Sequence, residues 1–229
     1  MLIFCHLCIG AIIGLFLARS TRDKGMVALA AIGSILPDLV DKPVGYLVYG
    51  DILGHGRLYL HTLLFLALLA CAGLLAWRLT RSRAPAVLAG LVGLHQLMDL
   101  MWLAPVTWLY PFLGPFPTEA AVDLGGWLFS LEVYSVSEWV FLVVLALVGL
   151  SVVRGDARPL ACGSLALLIL GIATPAWLGG LPLHLLPDGM ADTGPMLAFV
   201  SIGGSLGLWL AYQQGRAFRP ERKLPRLTG

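Results

Sequence analysis

The chain has 229 residues, of which 59% are hydrophobic and 12% are charged, and its formal net charge is +2. Its mean hydropathy is +0.87. Soluble domains carry about 25% charged residues, so this composition excludes an ordinary soluble enzyme and indicates an integral membrane protein. At about 20 residues per spanning helix, the length allows one helical bundle and no large soluble domain. We therefore expect an all-α, polytopic transmembrane helical bundle that forms a single domain, 1–229.

Apolar segments separated by charges or by Pro and Gly turns predict about seven membrane spans. They cover residues 1–18, 25–40, 58–77, 85–110, 138–153, 159–180 and 195–212. The second segment is short, and we expect Pro37 to fray the end of its helix. A six-span bundle with a re-entrant second segment is therefore the alternative. The first apolar run has its positive charges after it rather than before it, which favours a retained span over a cleaved signal peptide.

Lys and Arg occupy alternate connections between the predicted spans. They lie in 19–24, 78–83 and 154–158 and in a basic tail at 216–229, whereas the intervening connections carry mainly Asp and Glu. Because short cytoplasmic loops are enriched in Lys and Arg, this pattern places the amino terminus outside and the carboxy terminus in the cytoplasm. Membrane anchoring explains the basic tail, so no nucleic-acid partner is expected.

Six ionisable residues interrupt the apolar segments. Such groups cost roughly 2.5–3.5 kcal/mol each at membrane depth, so they usually mark a functional site. The predicted topology places all six in the middle to outer half of the membrane, although it was derived from other residues. This agreement predicts one shared site formed by His6, Asp38, Asp41, His61, His95 and Asp99.

The spacing of these residues suits metal binding. His95 and Asp99 are four residues apart and share a helical face, and Asp38 and Asp41 are three apart. Imidazole and carboxylate ligands suit zinc, manganese or iron. Six candidates exceed the needs of one zinc ion, so one or two divalent ions are expected, zinc or manganese by preference.

Other interpretations of the same residues remain open. His6 alone suits an interhelical hydrogen bond, His95 with Asp99 suits a structural polar clamp, and Asp38 with Asp41 suits a solvated loop. A proton or ion pathway would use the same residue types.

Three further basic side chains lie in predicted outer loops. Arg57 lies four residues before His61, where it would hold a phosphate or carboxylate group or anchor the chain at the interface. His55 is a loop histidine or an additional ligand, and His184 is left out of the site because Pro182 and Pro187 disfavour a regular helix around it.

Two short patterns are interpreted as packing features. The cysteines form no disulfide framework, and the C-x2-C pair lies in an apolar helix, where buried cysteines are more common than zinc ligands. The residues 203–207 match a nucleophile elbow only by letters, since they lie inside a predicted span, where small residues permit close helix packing. The cysteines are Cys5, Cys8, Cys71 and Cys162.

Residues 1–115 resemble the membrane-bound metal-dependent hydrolase family, some members of which are described as LexA-binding, inner-membrane-associated hydrolases. The likeness rests on the sequence GSILPDLVDKP at 33–43, on GR at 56–57 leading to HTLLF at 61–65, and on HQLMD at 95–99. It implies that His6, Asp38, Asp41, His61, His95 and Asp99 are metal ligands. Many members have a D-x-D and a His-Arg-Gly stretch where this chain has D-x-x-D and His-Gly-Arg. The helical half at 116–215 is not diagnostic.

The resemblance implies a metal-dependent hydrolase in a prokaryotic inner membrane. Asp41 or Asp99 would then be the general base, and Arg57 would hold the phosphate of a lipid or lipid-linked phosphoester at the outer leaflet. The rival functions are a metal or proton transporter and a membrane protein that binds or regulates without catalysis. The substrate, the metal and the oligomeric state are not fixed by the sequence.

Overall fold

The structure of the protein is a computed structural model that describes residues 3–50, 52–118, 136–178 and 193–217. These residues form helices and turns, with no β-strand among them. His184, the acidic stretch from Glu119 to Glu132 and the basic tail beyond residue 217 lie outside the described residues. The α-helices are α1 (Ile3–Thr21), α2 (Gly25–Pro43), α3 (Leu63–Thr80), α4 (Ala84–Met98), α5 (Pro105–Trp108), α6 (Val136–Arg154), α7 (Ala157–Leu178) and α8 (Thr193–Ala217).

Small residues bring α1 and α2 into close antiparallel contact. A Cβ atom on Gly10 would collide with Ser34, and one on Gly14 would lie 2.6 Å from the Cα of Val27. The Ser34 hydroxyl donates a hydrogen bond of 2.8 Å to the carbonyl of His6. These contacts require glycine on α1, because a larger residue would push the two helices apart and separate His6 from α2.

Helix α4 runs parallel to α2 and completes the scaffold of the site. Gly33 packs against Leu88 and Leu91. On α4, one helical turn after Leu91, Nδ1 of His95 lies 2.7 Å from the backbone carbonyl of Ser34, the residue that follows Gly33. The carboxyl ends of α2 and α4 therefore lie at the same end of the bundle, together with the amino end of α1.

The expectation that Pro37 frays α2 is wrong. The helix continues through Pro37 to Pro43 and then through a π-helical turn, Val44–Val48. Pro37 is buried, as are Asp38 and Asp41. An interior proline costs about 3 kcal/mol or more, but neighbouring helices can compensate for it in a membrane protein. Burial of the two aspartates also excludes the solvated-loop interpretation.

Two predicted spans have different boundaries in the structure. The segment 58–77 begins with a 3₁₀ turn, Tyr59–His61, and α3 starts only after Thr62, whose hydroxyl accepts a hydrogen bond from the Phe65 amide and caps the helix. In the segment 85–110 the regular helix stops at Met98, because Leu100 adopts a left-handed conformation with φ 55°. His61 and Asp99 therefore occupy turns at helix ends.

The later helices pack around α1 on the side away from α2. A Cβ atom on Gly204 would lie 2.8 Å from the Ser164 carbonyl on α7. Gly207 of α8 fits against the Ser164 side chain, and Gly203 fits against Ile9 of α1. The residues 203–207 therefore serve helix packing inside α8. All four cysteines are free, with Cys5 and Cys8 buried and Cys71 and Cys162 exposed.

Basic turns and buried ionisable groups occupy opposite ends of the bundle. Arg19, Lys24, Gly155 and Gln214 line one cleft of about 300 Å³, and the Gln214 side chain donates to the Gly155 carbonyl at 2.8 Å. The α1–α2 turn, the α6–α7 turn and the end of α8 thus meet at one end. This grouping agrees with the pattern of Lys and Arg in the sequence, but the orientation in the membrane stays a prediction.

Two helices among the described residues, α1 and α3, are long and apolar enough to cross a membrane. Their mean hydropathies are 1.9 and 2.0, and α4 and the apolar part of α7 are shorter. The number of seven spans therefore remains a prediction. Only 6% of the apolar window of α3 is buried inside the protein, against 44% of that of α1, so α3 is the more peripheral helix.

Candidate metal centre

Four buried side chains form a compact group, which we call the quartet. Their ligand atoms all lie within 4.8 Å of one another. Helix α2 supplies one residue, the 3₁₀ turn before α3 supplies the second, and the last turn and end of α4 supply the other two. The quartet consists of Asp38, His61, His95 and Asp99.

Hydrogen bonds determine which nitrogen of each quartet histidine faces the centre. Nδ1 of His95 lies 2.7 Å from the Ser34 carbonyl, and Nδ1 of His61 lies 2.8 Å from Oδ2 of Asp41. Both partners accept hydrogen bonds, so both Nδ1 atoms carry the proton in the neutral rings. The two Nε2 atoms are then free of hydrogen and present their lone pairs to the centre, where they lie 3.1 Å apart.

The oxygens around these nitrogens increase the negative potential. Oδ1 of Asp38 lies 3.6 Å from Nε2 of His61 and 3.8 Å from that of His95. Oδ2 of Asp99 lies 3.7 and 3.8 Å from the same two atoms. Four electron-rich atoms therefore converge in a buried space, an arrangement that could hold a metal ion.

The dimensions and an unsatisfied oxygen both fit a metal ion. Two nitrogens bound to one tetrahedral zinc at 2.0–2.1 Å would lie about 3.3–3.4 Å apart, close to the separation of the two Nε2 atoms. Oδ1 of Asp38 is buried and has no hydrogen-bond partner. A proton shared by His61 and His95 would satisfy the nitrogens but not this oxygen, which lies beyond hydrogen-bond distance from both. A cation in the centre would satisfy all of them.

Asp41, predicted as a ligand and a general base, lies outside the quartet and contacts His61. Its Oδ2 atom accepts hydrogen bonds from the amides of Leu58, Leu60 and His61 at 3.0, 2.9 and 3.2 Å, besides the one from Nδ1 of His61. A carboxylate that receives the distal nitrogen of a metal-binding histidine fixes the orientation of the ring. Asp41 therefore holds the turn and its histidine in place.

His6, also predicted as a ligand, contacts the quartet from α1. Its Nε2 atom lies 3.1 Å from Oδ1 of Asp99, and its ring stacks on that of His95 with a centroid distance of 4.1 Å. Nδ1 of His6 is buried without a hydrogen-bond partner. His6 thus holds the oxygen of Asp99 that faces away from the two Nε2 atoms.

Two cations flank the quartet carboxylates. The Lys42 ammonium donates a hydrogen bond of 2.8 Å to Oδ2 of Asp38, four residues earlier on α2. Arg57 places Nε 3.5 Å from Oδ2 of Asp99. Their side chains are 19% and 45% exposed, respectively, whereas the carboxylates are buried. Arg57 was singled out in the sequence, but Lys42 was missed, although its i, i+4 spacing from Asp38 was available as a signal.

Gln96 holds the turn that carries His61 by hydrogen bonds. It is, after Lys42, the second residue of the site that the sequence did not suggest. Its amide nitrogen donates to the carbonyls of Leu60 and Thr62 at 3.0 and 3.1 Å, on either side of the histidine. Its amide oxygen accepts a hydrogen bond of 2.9 Å from the indole of Trp108. One buried side chain thus connects α4, the His61 turn and α5.

His55 lies beside the site and has backbone partners. Its Nδ1 atom accepts a hydrogen bond from the Arg57 amide at 3.3 Å, and Nε2 lies 2.9 Å from the Pro117 carbonyl. Both ring nitrogens are therefore engaged. This histidine supports the loop that carries Arg57 and is not part of the quartet.

A sequence profile of the YdjM inner membrane protein family matches residues 1–178. The chain belongs to this family. The match extends through α7, well beyond the first 115 residues that carry the resemblance described above. Comparison with curated proteins and with solved structures finds no significant match. The family assignment supports a membrane location, and the quartet is a possible metal-binding group within that membrane protein.

Proposed function

We propose that this protein is a membrane-embedded, metal-dependent hydrolase that acts on a lipid or lipid-linked phosphoester at the extracytoplasmic leaflet. The observation that carries the proposal is the convergence of two proton-free Nε2 atoms and the unpartnered Oδ1 of Asp38 in one buried space. A bound divalent ion lowers the pKa of water towards 7 and polarises a phosphoryl oxygen, which is the chemistry of phosphoester hydrolysis.

The residues of the quartet would hold one ion, zinc or manganese. Four protein ligands fill a tetrahedral zinc, whereas catalytic zinc sites usually have three protein ligands and an open position. An octahedral ion such as manganese would retain two positions for water or substrate with the same four ligands. Manganese therefore suits catalysis better, and tightly bound zinc would favour a structural role.

Charge favours an anionic substrate. Asp38, Asp41 and Asp99 carry three negative charges when ionised, and Lys42 and Arg57 carry two positive ones. The net charge of these five side chains is thus −1, and binding of one divalent ion would change the charge of the site to +1. A positive centre in a poorly solvated setting attracts a phosphate group.

The residues divide the remaining tasks by position. Asp99 would hold the ion through Oδ2, with His6 holding its second oxygen. The predicted role of Asp99 as general base would require Oδ2 to leave the ion. Asp41 acts through His61, because its Oδ2 atom already accepts several hydrogen bonds. Arg57, which is partly exposed, contacts the phosphate.

A transporter is disfavoured by the distribution of buried carboxylates. In the described part of the chain these are Asp38, Asp41, Asp99 and Glu138. Glu138 accepts a hydrogen bond from the Phe4 amide at the amino end of α1, so all four lie at one end of the bundle. A proton or metal pathway would need ionisable groups that continue towards the basic end.

The test combines metal analysis with a substrate panel. Purified protein should contain one or two divalent ions, and the metal-loaded protein in liposomes should hydrolyse a member of a panel of phospholipids and polyprenyl phosphates. Asp38→Ala should abolish turnover, and Arg57→Ala should mainly raise KM. Asp23→Ala is the matched control, because Asp23 lies in the exposed α1–α2 turn.

Two results would contradict the proposal. Absence of metal-dependent turnover across the panel would remove the phosphoester claim. Release of metal ions across the membrane of the same liposomes, dependent on Asp38, would favour a transporter.

A further inference from the structure

We propose that Lys42 joins Arg57 in a two-cation site that binds the phosphate group of the substrate at the mouth of the quartet. The substrate class in this inference rests on the proposed function. The new element is Lys42, which lies outside the quartet and was not among the predicted site residues. The site is argued from the packing of the α2 end against the loop that carries Arg57.

The backbone brings Lys42 and Arg57 to the same side of the quartet. A Cβ atom on Gly45 would overlap the carbonyl of His55, so the loop lies directly on the end of α2. A Cβ atom on Gly56 would lie 2.7 Å from Cγ of Lys42. The loop therefore crosses the Lys42 stem one residue before Arg57.

Each of the two carboxylates at the mouth has a cation beside it. Oδ1 of Asp38 faces the two Nε2 atoms, and its Oδ2 accepts a hydrogen bond from Lys42. Asp99 directs Oδ2 towards the same nitrogens, and Arg57 approaches this oxygen from the exposed side. Each cation thus lies next to a quartet carboxylate and retains partial access to the surface.

Both cations have donors left for a ligand. Lys42 makes one hydrogen bond among the described residues, and an ammonium group has three donors. Arg57 approaches Asp99 through Nε, so its terminal nitrogens can bind two phosphate oxygens in the fork geometry of guanidinium.

The experiment measures phosphate binding and metal content separately. Inorganic phosphate is titrated into the metal-loaded protein in detergent by calorimetry, followed by a short-chain phosphatidylglycerol. Lys42→Met keeps the aliphatic stem under Gly56 and should weaken phosphate binding about 10- to 100-fold, as expected for lost charged hydrogen bonds. Lys42→Arg should restore most of the affinity. Lys24→Met, which removes an exposed lysine at the other end of the bundle, should bind as wild type does.

Elemental analysis of the same samples decides what the lysine does. Unchanged metal content in Lys42→Met, together with weaker phosphate binding, supports the proposal. Loss of metal in this variant would make Lys42 a support for Asp38 and overturn the proposal, as would phosphate binding equal to wild type. Binding of both ligands identifies a lipid headgroup, and binding of inorganic phosphate alone identifies free phosphate. Lysine-dependent binding without any turnover would refute the hydrolase and leave this inference standing.

Discussion

Asp41 provides the most sensitive test of how the candidate centre is built. Asp41→Ala removes the acceptor of three backbone amides in the 58–61 turn, besides that of the His61 ring. The amides of Leu58 and Leu60 and Nδ1 of His61 would lose their partner, whereas the His61 amide keeps the Leu58 carbonyl at 3.3 Å. A buried donor without a partner costs about 1–3 kcal/mol, so three such donors should lower the free energy of unfolding by about 3–9 kcal/mol. Total stabilities are about 5–15 kcal/mol, so this variant should unfold far more easily or fail to fold.

Asp41→Asn separates metal binding from folding. The asparagine carbonyl can still accept hydrogen bonds, so the loss of stability should be smaller. The negative charge next to His61 disappears, and loss of such a supporting carboxylate typically costs about 10- to 100-fold in metal affinity. Thermal unfolding in detergent and metal retention against a chelator of known affinity measure the two effects.

Asp23→Asn is the control for the Asp41 experiment, since it makes the same chemical change at an exposed turn. It should leave both measurements unchanged. The reasoning would be refuted if Asp41→Ala unfolded at the wild-type temperature, or if Asp41→Asn kept the wild-type metal affinity.

Three other predictions address the ligands, the helix packing and the topology. His95→Ala and Asp99→Ala should each lose most of the bound metal, and full retention in both, measured by elemental analysis, would identify a structural clamp. Gly10→Ala should destabilise the protein in thermal unfolding because its Cβ meets Ser34, whereas Gly149→Ala, with open space around it, should be neutral or stabilising by about 0.5–1 kcal/mol. A reporter fused to the end of the chain should be active in the cytoplasm, and an external signal would contradict the predicted orientation.

The sequence identified the residues of the site better than their roles. Ionisable side chains in apolar segments are costly, and this cost drew attention to six residues, of which four form the quartet and the other two, His6 and Asp41, contact it. It could not separate Asp38 from Asp41, because both are aspartates on one stretch of helix. Only the turn at 58–61, folded against α2, shows that Oδ2 of Asp41 receives amide hydrogens while Oδ1 of Asp38 faces the two Nε2 atoms.

The errors in the predicted fold arise from long-range packing. Pro37 is a reliable breaker of isolated helices, but here α2 is packed between α1 and α4. The apolar run at 85–110 gave no indication of its end at Met98, because a left-handed Leu100 has no sequence signature. The i, i+4 spacing of Lys42 from Asp38 was available in the sequence. The packing of Lys42 against Gly56, by contrast, arises only in the folded chain.

The order of the quartet along the chain has a consequence for biosynthesis. Every quartet donor lies between residues 38 and 99, and α6, α7 and α8 supply none among the described residues. Residues 100–229 follow Asp99 and number 130. At about 5–20 residues per second their translation takes roughly 6.5–26 s. All four donors are thus present in the nascent chain once Asp99 has been synthesised, and an ion bound by the quartet would not have to wait for a donor from the later helices.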